Sequence, residues 1–122
     1  VADSSTTLNA SGKQAAPTTG LAIATLTTPA AGTYAVRVYI GLAGTLTATT
    51  DANNVELLAG ATVIGTIGNP GTAGEWGPFP FDVTMDGASN LTVNAIGAAT
   101  ASSEYSATII AEPLGTGKLV SL

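Results

Sequence analysis

The segment TYAVRVYI, residues 33–40, decides the fold. Tyr34, Val36, Val38 and Ile40 fall on one face, and Ala35, Arg37 and Tyr39 fall on the other. A period of two is that of an extended chain with successive side chains on opposite sides, so the segment predicts a half-buried β-strand. Upstream, LAIATLTT at 21–28 is a second run, closed by the turn PAAG at 29–32. Downstream, Gly41 and Gly44 bracket a break, TLTATT at 45–50 is a short β-branched run, and Asp51, Ala52 and Asn53 make a turn. NVELLA at 54–59 and ATVIGTI at 61–67 flank Gly60, which fits a tight hairpin or a bulged strand. GNPGTAG at 68–74 is a loop, because Gly and Pro punctuate strongly.

The next run, EWGPFPFDVTM at 75–85, alternates through Phe79, Phe81, Val83 and Met85, with Pro78 and Pro80 between them. Proline cannot donate to a ladder, so this strand is expected to begin at a sheet edge or rim. After the turn at Asp86 and Gly87, NLTVNAI at 90–96 alternates through Leu91, Val93 and Ala95. SEYSATIIA at 103–111 alternates through Tyr105, Ala107 and Ile109, and Pro113 stops it. No useful stretch has a 3.6-residue period. Short runs with turn signals at roughly ten-residue spacing predict an all-β domain, a single β-sandwich of about eight antiparallel strands. Eight strands fit a jelly roll. Residues 1–20, VADSSTTLNASGKQAAPTTG, carry Leu8 as their single large aliphatic and are expected to form an extended N-terminal arm that lies on a partner. The expected organisation is therefore an arm at 1–20, a sandwich at 21–113 and a tail at 114–122.

Composition narrows the chemistry. The 122 residues suit one domain. Charged residues are only 9% of the chain, against about 25% in an ordinary soluble domain, so its surface is built from small uncharged side chains. The net charge is −5 and the only cations are Lys13, Arg37 and Lys118. Three scattered cations cannot neutralise a row of phosphates, so nucleic acid is not an expected partner, and neither is an anionic membrane surface. Cysteine is absent, which excludes disulfides and thiolate metal sites. Histidine is absent too, removing the commonest general base and metal ligand. The start at Val1 fits removal of an initiator Met, and the polar N-terminus has no signal-peptide core, so the product is expected to be made and used without secretion.

The sequence carries no complete catalytic grouping of the common kinds. A Ser–His or Cys–His pair is impossible, G-x-S-x-G does not occur, and a Ser–Lys pair would need Lys13 or Lys118 in the expected flexible ends. Asp82 and Glu104 could face each other on neighbouring strands, as a glycosidase pair must, but nothing in the sequence requires it. Asp51, Asn53 and Glu56 are hard oxygen donors in a turn, yet they miss the EF-hand pattern, and Asp and Asn favour turns in any case. Gly115, Thr116, Gly117 and Lys118 lack the first Gly, the Ser/Thr and the helix of a phosphate loop. No enzyme and no cofactor is expected.

Trp76, Phe79 and Phe81 form the most conspicuous group. As a functional set they would be a sugar-stacking platform or an interface anchor; as a structural one, Phe79 and Phe81 are core residues and Trp76 is the exposed member. Arg37 and Tyr39 lie on the face opposite Val36 and Val38, which meets either solvent or another subunit. Leu8, Lys13, Arg37, Tyr39 and Trp76 are the candidate partner contacts.

The segments PAAGTYAVRVYIGLAGT at 29–45, DANNVELLAGATVIGTI at 51–67 and DVTMDGASNLTVNAIGAATASSEYSATIIAEP at 82–113 resemble the capsid decoration (cement) and head-fibre proteins of tailed bacteriophages. The resemblance is one of Thr/Ala/Gly-rich strands, scarce charge and turn placement rather than of an invariant motif. It implies a jelly-roll-like β-sandwich, a homotrimer bound to the major capsid protein on the outer surface of a virion, and an extended terminal arm as the capsid contact. It carries no catalytic set. The competing expectation is a carbohydrate- or receptor-binding module of a phage tail or fibre.

Overall fold

In a computed structural model, which describes residues 7–15, 20–44, 55–68, 74–96 and 103–114, the alternation at 33–40 sits inside a longer strand. The strands are β1 (Leu8–Ala15), β2 (Ala22–Leu26), β3 (Gly32–Gly44), β4 (Val55–Ala59), β5 (Thr62–Ile67), β6 (Gly74–Met85), β7 (Leu91–Ala95) and β8 (Ser103–Pro113). They form two four-stranded sheets, ordered β1-β8-β3-β6 and β2-β7-β4-β5.

The pairing has a simple logic. β1 pairs with β8, β2 with β7, β3 with β6 and β4 with β5, all antiparallel. The chain is thus one long antiparallel ribbon, doubled back at the β4–β5 turn. Rolling that ribbon brings β3 beside β8 and β4 beside β7. This is the jelly-roll arrangement of an all-β sandwich.

The inner faces make the core. Tyr34, Val36, Val38, Ile40 and Leu42 of β3 and Tyr105, Ala107, Ile109 and Ala111 of β8 are buried, as are Val55, Leu57, Leu91 and Val93 across the sandwich. Each fully buried Val or Leu contributes about 1.5–3 kcal/mol relative to exposure. Tyr34 keeps its hydroxyl satisfied by donating to the Ala30 carbonyl at 2.7 Å. Burial pushes the Tyr105 phenol above its ordinary value of 10.0, which keeps it neutral.

The turns follow their residues. Gly60, at φ +61°, opens the two-residue β4–β5 turn, and a register shift follows Leu57, so this hairpin is both tight and bulged. The Asp86 carboxylate accepts from the Ala88 and Ser89 N–H groups at 2.8 Å each and from the Ser89 hydroxyl at 3.0 Å. Those bonds hold its pKa below the ordinary 3.8. β6 lies at a sheet edge, where its prolines can be tolerated.

Two expectations change. Residues 8–15 are not an arm: they form β1 and pair with β8 from Leu8 opposite Ala111 to Ala15 opposite Glu104. The alternation was hidden because Ala10, Gly12 and Gln14 carry its inward phase and two of them are tiny. Leu8 and Ala10 pack against the chain's own core. Residues 1–6, 16–19 and the run at 45–50 lie outside the described residues, so the eight observed strands include 8–15 and do not include 45–50. The tail is described only at Leu114, whose N–H donates to Thr33 O at 2.8 Å.

Trp76 also departs from expectation. It is half-buried and packs against the core together with Phe79 and Phe81, rather than standing out as the exposed member of the three. β6 slips by a bulge at this point: Val38 faces Phe79 and Ile40 faces Trp76, leaving Gly77 and Pro78 opposite Tyr39 alone.

Candidate functional groove on the outer sheet face

The outward phase of β3 is Arg37, Tyr39 and Gly41, and that of β8 is Ser106, Thr108 and Ile110. The register sets them side by side, with Arg37 opposite Ile110, Tyr39 opposite Thr108 and Gly41 opposite Ser106. On the other flank Gly41 faces Glu75 of β6. Beyond β8, Ser106 faces Lys13 of β1. One row therefore crosses the whole sheet as Lys13, Ser106, Gly41 and Glu75, a cation at one end and a carboxylate at the other. At about 4.8 Å per strand, the backbones of Lys13 and Glu75 are roughly 14 Å apart.

A Cβ on Gly41 would run into the Ser106 hydroxyl, so glycine is what lets the Ser106 side chain lie over β3 at this point of the row. The bulge at Gly77 and Pro78 builds one wall, beside Tyr39. The result is an open groove of about 550 Å³ lined by Tyr39, Gly41, Glu75, Trp76, Ser106, Thr108 and Ile110, among others. Tyr39 is 38% exposed, the largest accessible aromatic of the described residues. The Thr108 hydroxyl lies 3.1 Å from that of Ser11, which ties β1 to the groove floor.

The candidate contacts divide accordingly. Tyr39 and Trp76 line the groove. Lys13 and Arg37 are exposed on the same sheet face, and Leu8 points into the core instead. Gly41, Glu75, Ser106 and Thr108 were missed from sequence. The alternation of β8 already put Ser106 and Thr108 in phase, but nothing local says that β8 runs beside β3.

The other candidate chemistries gain no geometry. Asp82 and Glu104 lie on strands separated by β3, opposite Ala35 and Ala43. Eight residues along a strand is about 26 Å, far beyond the 5–9.5 Å a glycosidase pair spans. Asp51 and Asn53 lie outside the described residues, as does Lys118. Among the described residues no group of three acidic or metal-binding side chains converges. No described helix is long and apolar enough to cross a membrane.

No protein-family model matches the chain, and no curated protein matches it.

Proposed function

We propose that this chain is a non-enzymatic structural protein of a virus particle, a decoration protein that binds the major capsid protein on the outer surface of a bacteriophage head as a homotrimer. The observation that carries the proposal is the rolled ribbon itself, β1-β8-β3-β6 over β2-β7-β4-β5, the architecture that the resemblance implies. The support is analogy of fold, joined to a weakly charged surface of small side chains on which identical copies can be packed. The mechanism is mechanical. A module that binds only the assembled shell stabilises that shell by mass action, and several linked copies offset weak affinity per copy.

A free arm over the whole of 1–20 is not what makes the contact on this reading, because 8–15 pair with β8 in the sheet. The test is the copy number of the chain in purified particles from its source, by quantitative mass spectrometry against the major coat protein. A number in simple ratio to the coat protein is the expected result. A handful of copies per particle, or none, would overturn the proposal and favour a fibre-tip or non-virion binding module.

A further inference from the structure

We infer that the outer-face groove of the β1-β8-β3-β6 sheet is a binding site for a neutral oligosaccharide. The inference stands on this chain's own groove and holds whether or not the chain decorates a particle.

The chemistry of the lining selects the ligand class. A sugar ring presents one apolar C–H face and a rim of hydroxyls, so it needs an accessible aromatic plane beside fixed polar groups. Tyr39 offers the plane, 38% exposed at the bulged wall. Ser106 and Thr108 offer hydroxyls on the floor, that of Ser106 able to donate once and accept twice and that of Thr108 offering the capacity its bond with Ser11 leaves. Glu75 offers a carboxylate, an acceptor for two adjacent hydroxyls. Among the described residues, Ser106 and Glu75 have no side-chain hydrogen bond to another part of the chain, unlike Tyr34, whose hydroxyl is bound by Ala30. Their bonding capacity is therefore directed at whatever enters the groove.

Glu75 is the only charged residue in the groove lining, so the groove itself offers no cation to an anionic polymer, Lys13 and Arg37 lying outside the lining on the same face. The volume of about 550 Å³ lies in the range of small-ligand sites.

The chain contains one tryptophan, and it lines the groove, so its fluorescence reports on occupancy. The full chain would be titrated with maltotetraose, cellotetraose and chitotetraose up to about 10 mM, and with tetragalacturonate as the anionic counterpart. The expected result is a saturable change with at least one neutral tetrasaccharide and none with tetragalacturonate. Tyr39→Ala should weaken binding by about tenfold or more, and Glu75→Gln by a smaller factor. Val63→Thr, on the opposite sheet, should leave binding unchanged, with circular dichroism confirming that each variant is folded. No saturable response to any neutral probe would overturn the inference. So would equal binding by Tyr39→Ala, or preference for tetragalacturonate. A chain that binds sugar but is absent from particles would sink the proposed function alone; a decorating chain that ignores all three sugars would sink this inference alone.

Discussion

β1 and β6 are the two edges of one sheet, and they close the sandwich in opposite ways. β1 closes it by backbone. Its Gly12 lies so near the Ile23 carbonyl of β2 that a Cβ could not be placed there, and Gln14 Nε2 donates to the Ala22 carbonyl at 3.3 Å. β6 closes it by rings. Phe79 and Phe81 reach across from the edge, and the Phe81 ring covers Gly65 of β5. Each end thus relies on one glycine, but the neighbours differ in kind. A carbonyl held in a sheet cannot step aside, whereas a half-buried ring can turn. The same steric demand should therefore cost more at β1 than at β6.

The largest effect is expected from Gly12→Val, which must prise β1 from β2 and should destabilise the chain by about 3 kcal/mol or more, beyond the usual range for overpacking. Urea unfolding measures it, and a loss below that of Gly65→Ala would break the contrast. Phe81→Ala comes next. Full burial would cost about 3–5 kcal/mol, and half-burial brings the expected loss to about 2 kcal/mol. Gly65→Ala should cost about 1 kcal/mol alone and less when Phe81 is also changed to Leu, because the ring it meets is gone. A double-mutant cycle showing no coupling would separate Gly65 from Phe81. No second substitution on β2 should rescue Gly12→Val, since its obstacle is main chain.

The gentlest test lies at the turn that leaves β6. Asp86 has its folded pKa lowered by the bonds from Ala88 and Ser89, so it adds stability above its ordinary 3.8. That contribution is lost as pH falls below 3.8 through the lower folded value. The difference in thermal midpoint between the parent chain and Asp86→Ala should be present at neutral pH and shrink in acid. A gap that does not change with pH would mean that the carboxylate's charge plays no part in the turn.

The contrast between the edges also explains what could be foreseen. β6 was legible because Phe79, Phe81, Val83 and Met85 mark one phase with large side chains, and its prolines announce an edge. β1 was not, because its inward phase is Leu8, Ala10, Gly12 and Gln14, and hydrophobic periodicity is invisible where close approach requires small residues. The inner stripes of β3, β7 and β8 were foreseen for the same reason as β6. The groove was beyond local pattern. It needs Gly41 of β3 beside Ser106 of β8, residues far apart in sequence, and a bulge at Gly77 and Pro78 that moves one wall outward. Tyr39 and Trp76 could be singled out by type, but their convergence depends on register.

The nested ribbon has a consequence for how the chain finds its fold. The β4–β5 hairpin joins near neighbours, with Val55 opposite Ile67. Each pair outside it spans more chain, from Tyr34 with Val83, through Leu26 with Leu91, to Leu8 with Ala111. Loop-closure entropy grows with that span, but every inner pair that has already formed shortens the loop left to close. Assembly by zipping from the hairpin outward is therefore favoured over a search for the ends, and β1 is the last strand to dock. On this route, substitutions in β1 accelerate unfolding while leaving the refolding rate nearly untouched.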